Sequence, residues 1–158
     1  MLVVDVIKAL QKAKVKYAIV GGYAVALHGV VRGTVDLDLV ISLSEKQMLA
    51  AESALKSAGF EARLPVSAKE VFMFREEYIN NRNMVAWAFY RPNAPLDMVD
   101  IIITDEVRDL GVIDVKAVGL TLKVADIPSL IKLKQRAGRP QDKEDVKALK
   151  KILKGNLS

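Results

Sequence analysis

The 158-residue sequence contains no cysteine and a single histidine, His28. The first absence excludes a disulfide framework, a thiolate metal centre and a cysteine nucleophile, and it suits a reducing, cytoplasmic setting. The second excludes a histidine-rich metal site; at the end of a short apolar stretch before Gly29, His28 reads as a packing or helix-capping residue. Aromatic residues make up only 6% and do not alternate with basic ones, so the stacking surface that grips single-stranded nucleic acid is missing. No apolar run approaches the roughly 20 residues that span a bilayer. The first twenty residues place Asp5, Lys8 and Lys12 at helical spacing, unlike the uninterrupted apolar core of a signal peptide. The expectation is a soluble cytoplasmic protein forming one domain over residues 1–158.

Half of the chain, 51%, is hydrophobic, enough for a sizeable core. The net charge of +5 is uneven: residues 132–158 carry nine Lys or Arg against three acids, leaving the first 131 residues at −1. That C-terminal surplus is either a solvated helix face or a surface that attracts phosphate.

Leu2, Val6, Ile7 and Leu10 recur at helical spacing and predict a helix ending near Lys14. Tyr17–Val20 is short and β-favouring, Gly21-Gly22 breaks it, and a helix over 23–28 follows, ending at Gly29. A connection over 30–35 leads into a strand at 36–41. Ser44 with Gln47 resembles a capping box and opens a helix to Ser57, halted by Gly59. Strand-like runs are expected at 60–64, 70–74, 84–90 and 97–103, with "EEYINNRN" and "RPNAP" as turns or loops. An extended "TLKVA" precedes a helix with Asp126 as N-cap and Pro128 near its start, closed by Gly138. A last helix runs from about Pro140 to Lys154 and buries Val146, Leu149, Ile152 and Leu153. The order predicts an α/β (α+β) fold with a mixed sheet flanked by helices and a helical C-terminal part over about 126–154.

The stretch "DLDLV" at 36–40 places two carboxylates on one face of an otherwise apolar strand. They lie about 6.6 Å apart along the backbone, a spacing from which both side chains can reach a divalent ion. A third acid is available in "PLDMVDIIIT": Asp100, with Asp97 on the opposite face as a residue at the start of the strand. The Gly21-Gly22 turn frees backbone amides for a phosphate, and Arg32 and Thr34 lie between turn and acids. Asp142 and Asp145 share a helix face, where Asp142 caps the helix or pairs with Arg139 and Arg136.

Taken together, "VGGYAVALHGVVRGTVDLDLVI" resembles the nucleotidyltransferase signature of the DNA polymerase β superfamily, with thirteen residues between Gly22 and Asp36. A closer likeness is to small prokaryotic nucleotidyltransferase-like proteins related to abortive-infection (AbiEii-type) toxins. Gly21, Gly22, Ala24, His28, Gly29, Arg32, Thr34, Asp36 and Asp38 match their N-terminal motif; Lys134, Arg139, Asp142 and Asp145 match a C-terminal one. The resemblance implies that an NMP passes from an NTP to an acceptor hydroxyl by a two-metal mechanism. Asp36, Asp38 and Asp100 would be the catalytic and metal-binding acids, holding two Mg²⁺ or Mn²⁺. Gly21, Gly22, Arg32, Thr34, Lys134 and Arg139 would bind the nucleotide. The acceptor is tRNA, a protein or a small molecule, and a cognate toxin-antitoxin partner fits the same likeness. Gly22 departs from the serine of many transferases, which leaves a catalytically silent nucleotide-binding module as the alternative.

Overall fold

The computed structural model describes residues 1–157. Among the described residues six α-helices and seven strands follow one another, alternating up to α4: α1 (Leu2–Lys12), β1 (Tyr17–Val20), α2 (Gly21–Leu27), β2 (Leu37–Ile41), α3 (Glu45–Ser57), β3 (Glu61–Ala62), α4 (Ala68–Arg82), β4 (Ala86–Arg91), β5 (Ala94–Ile102), β6 (Val112–Ala117), β7 (Leu120–Ala125), α5 (Ile127–Ala137) and α6 (Pro140–Leu157). The strands form one mixed sheet in the order β3-β4-β5-β2-β1-β7-β6. β2 runs parallel to β5 and β1 parallel to β7, whereas the remaining neighbours are antiparallel. The expected mixed α/β architecture is therefore the observed one.

The central strands β1 and β2 lie inside the sheet, so both faces are covered and the chain spends its β-branched and leucine residues there. Ala18, Ile19, Leu37, Leu39, Val40 and Ile41 are fully buried. α1 packs on α3 and α3 on α4; α2 lies against β1, β2, β7 and α5, and α5 against α6. Helix starts follow local chemistry. Ser44 accepts from the Gln47 amide, and Asp126 accepts from the Ser129 amide with Pro128 in the first turn. The Gln47 side chain does not close a box with Ser44; it accepts from the Lys16 amide and donates to the Lys14 carbonyl, tying α3 to the start of β1.

The middle of the chain differs from expectation. Residues 70–74, expected as a strand, and most of "EEYINNRN", expected as a loop, are both helical in α4. Its start is a full capping box, with Ser67 accepting from the Glu70 amide and Glu70 from the Ser67 amide. The expected strand at 60–64 shrinks to two residues, and β6, for which no strand was expected, pairs along the whole length of β7. Leu153 is exposed and leaves the buried stripe of α6 to Val146, Leu149 and the half-buried Ile152. Among the described residues no helix is long and apolar enough to cross a membrane.

Candidate active site

Strand register assembles the acids. Asp38 is the cross-strand neighbour of Asp100 on β5 and of Val20 on β1, so the end of the first strand and two carboxylates from parallel neighbours meet at one level of the sheet. Register partners point to the same face, so Asp100 rather than Asp97 joins Asp38. Asp97 is engaged elsewhere, accepting from Arg91 at 2.6 and 3.0 Å while Arg91 also reaches Asp5 at 2.8 Å. Asp36 precedes β2 instead of opening it, its carbonyl 3.4 Å from the Thr34 hydroxyl.

The glycines are required by what surrounds them. Gly21 has φ +67°, and a Cβ there would collide with the Asp38 carboxylate. A Cβ on Gly22 would lie 2.7 Å from the Thr34 hydroxyl and 3.1 Å from Arg32 Nη2. The space a side chain at 22 would need is thus filled by the two polar residues that the sequence places just before the acids. Turn, Arg32, Thr34 and Asp38 form one cluster.

Crowding shows in the electrostatics. Burial, then the charges of Asp100 and Asp36, push the Asp38 carboxyl up to about 7, against the pull of Lys134 and Arg139. Asp100 is raised by burial and Asp36, and held back by Arg63 and a hydrogen bond with Asp38. Tyr23 is raised by burial, Asp97 and Asp36. Neither Arg63 nor Tyr23 carries a signal in the sequence; only the folded arrangement brings them near the acids. Among the described residues no three His, Asp or Glu side chains converge closely enough to hold a metal ion as they stand. The donor chemistry nonetheless suits a hard divalent cation: oxygen donors only, clustered like charge, and a side-chain-free turn beside them.

A second cluster closes the site. Among the described residues, Lys134 on α5 and Asp142 and Asp145 on α6 are the buried charged ones. Lys134 Nζ lies 2.7 Å from Asp145 and 3.3 Å from Asp142. Arg32 reaches across from the 30–35 connection to Asp145 at 2.5 Å, and Gln141 donates to the other Asp145 oxygen at 3.0 Å. Asp142 also accepts from Arg139, through the backbone at 3.1 Å and the side chain at 2.8 Å. Burial alone would raise both acids; for Asp142 the Arg139 bonds and Lys134, and for Asp145 the Lys134, Gln141 and Arg32 bonds, outweigh it and lower them. Of the expected partners of Asp142, Arg139 is found, whereas Arg136 pairs with Asp105 instead. His28 caps the end of α2 and donates through Nε2 to the Ala125 carbonyl at 2.8 Å, the structural role its position implies.

Known structures share this architecture. The solution structure of the antibiotic-resistance factor ANT(2'')-Ia superimposes with a TM-score of 0.65 at 12% identity, over 96% of this chain and 82% of that one. The crystal structure of ANT(2")-Ia in complex with adenylyl-2"-tobramycin gives 0.63 at 14% identity, over 96% and 87%. An antigenic nucleotidyltransferase-like protein from Paracoccidioides brasiliensis gives 0.57 at 18%, over 95% and 73%. At these identities the likeness establishes a nucleotidyltransferase fold. No curated protein matches the chain in sequence. A family profile described as aminoglycoside-2''-adenylyltransferase matches residues 2–84, just over half of the chain, including the glycine turn, Arg32, Thr34, Asp36 and Asp38. The chain belongs to the aminoglycoside-2''-adenylyltransferase family.

Proposed function

We propose that the protein transfers a nucleoside monophosphate from an NTP to an acceptor hydroxyl. The observation that carries this reading is the abreast placement of Asp38 and Asp100 against the Gly21-Gly22 turn, in a chain whose family is named for adenylyl transfer. The family's name makes ATP the first donor to test and a hydroxyl of an aminoglycoside the first acceptor.

In this reading Asp36, Asp38 and Asp100 would hold two divalent cations, Mg²⁺ or Mn²⁺, once their side chains turn inward. When bound, these neutralise the triphosphate and make the acceptor hydroxyl more acidic. The Gly21-Gly22 turn, Thr34 and Arg32 receive phosphate oxygens, and Arg139 adds positive charge at the exposed rim. Asp100 takes the proton of the acceptor hydroxyl as its oxygen bonds to the α-phosphorus. The bond from that phosphorus to the bridging oxygen breaks, and pyrophosphate leaves. Residues 1–158 act in this reading as one nucleotidyltransferase-like domain.

Two measurements test the reading. NTP binding by the wild-type chain should depend on Mg²⁺, and Asp36→Asn with Asp38→Asn should abolish that dependence. α-Labelled NTPs, supplied with aminoglycosides, RNA and proteins, should give a labelled product with at least one acceptor. Metal-dependent binding that survives the double substitution would sink the assignment of the acids. Intact NTP binding with no transfer to any acceptor would favour a silent nucleotide-binding module.

A further inference from the structure

Arg32 and Lys134 are both cations close to the acids, but their surroundings leave them different freedom. Building on the nucleotidyltransferase reading, we propose that Arg32 is the side chain that touches the nucleotide's phosphates, that Asp145 is the positioning residue that aims it, and that Lys134 is their buried counter-ion and not a nucleotide ligand.

Lys134 is committed on both sides. Its side chain is 8% exposed and its ammonium serves two carboxylates that are each 3% exposed. To meet a phosphate it would have to leave both, and the one cation buried between them would be gone, each acid keeping only an arginine that reaches in from a more exposed position. Arg32 is held without being used up. Nε donates to the Gly33 carbonyl at 3.1 Å and Nη1 to Asp145 at 2.5 Å. Nη2 has no acceptor among the described residues, and it lies 3.1 Å from where a side chain on Gly22 would begin. A guanidinium is a rigid fork, so fixing one edge fixes the direction of the other. Asp145 therefore points the free edge of Arg32 at the space between the glycine turn and the acids. Asp145 itself is held on both oxygens, with Lys134 and Arg32 on one and Gln141 on the other. The ion pairs agree with this division: Lys134 lies between both acids, Arg139 pairs with Asp142 alone, and Arg32 pairs with Asp145 alone from the side of the site.

The test compares substitutions that remove the same single charge. Binding of inorganic tripolyphosphate with Mg²⁺, which needs no particular base, and of a non-hydrolysable ATP analogue is measured by calorimetry, alongside thermal melts. Arg32→Met should weaken both at least about ten-fold, and Arg32→Lys should fail to restore them because an ammonium has no second edge. Lys134→Met should lower the melting temperature more than Arg32→Met does, yet weaken phosphate binding no more than about three-fold. Asp145→Asn should weaken binding in the wild type but add nothing to Arg32→Met, because its effect runs through Arg32. If Lys134→Met does not fold, Lys134→Gln with Asp142→Asn removes one charge of each sign and answers the same question. Wild-type binding that Arg32→Met leaves intact, that Arg32→Lys fully restores, or that Lys134→Met abolishes equally would overturn the assignment while the function stands. No binding of either probe by the wild type would overturn both.

Discussion

Asparagine at position 38 keeps the shape of the side chain and removes its charge, so the metal-free protein should become more stable while the proposed site fails. Burial, with Asp100 and Asp36 beside it, raises the Asp38 carboxyl from 3.8 to about 7. A group raised in the folded state holds its proton more tightly there than in the unfolded chain. Its contribution to stability is whole below about pH 3.8 and is lost as pH rises through about 7. At about 1.36 kcal/mol per pH unit, keeping the carboxylate folded costs up to about 4 kcal/mol near pH 8 and about 1 kcal/mol near pH 4.5. Asp38→Asn escapes that cost, which for a chain of this length corresponds to a melting temperature roughly 5–15 °C higher near pH 8 and only a few degrees higher near pH 4.5. Circular-dichroism melts in chelator at the two pH values measure it. Added Mg²⁺ should then stabilise the wild type near pH 8 and leave the variant unmoved. An equal gain at both pH values, or a loss near pH 8, would refute the claim that the acid cluster is held together against its own repulsion.

Gly21→Ala should lose about 2 kcal/mol or more and all metal-dependent NTP binding, because φ +67° disfavours a side chain and its Cβ meets the Asp38 carboxylate; melts and calorimetry check both. Asp145→Ala strips Lys134 and Arg32 of a shared buried partner and should cost about 3–5 kcal/mol by urea unfolding. Because Asp145 is lowered in the fold, its stabilisation is present above the usual carboxylate range and lost as pH falls, so the same variant should show a flatter loss of stability in acid. Val118→Asn should gain about 1 kcal/mol with unchanged NTP binding: Val118 and Gly119 both have positive φ in the turn between β6 and β7, where Asn-Gly is favoured and a β-branched residue is strained.

What could be read in advance depended on how far apart in the chain the interacting residues lie. The glycine turn, the connection and "DLDLV" sit within one short segment, where spacing and strand alternation already imply a shared site. Asp100 was reachable because strand parity distinguishes it from Asp97, and the β2–β5 register then sets it beside Asp38. α4 was not legible from hydrophobic pattern. Only Ala68 and Val71 are buried in it, Phe72, Met73 and Phe74 are exposed, and the helix is kinked at Phe74, so no periodic stripe marks it. Four successive apolar residues, Val71 to Phe74, look like a strand when no face repeats. The informative signal was instead the Ser67–Glu70 capping box four residues before Val71.

The pairing of Arg32 with Asp145 spans 113 residues and has no local signature. Each half reads as ordinary on its own, an arginine in a connection and an aspartate on a helix among lysines. Only the packing of α5 against α2 and of α6 against α5 brings the pair together, where Asp145 shares Lys134 with Asp142 and has Arg32 as its second cation. The two clusters then load the fold in opposite senses. The acids of β2 and β5 repel and weaken it as pH rises, whereas Asp142 and Asp145 strengthen it once ionised. Arg32 spans the two, one edge on Asp145 and the other beside Gly22, so the stable cluster holds in place the group that, on the proposed reading, would meet a polyanion beside the strained one.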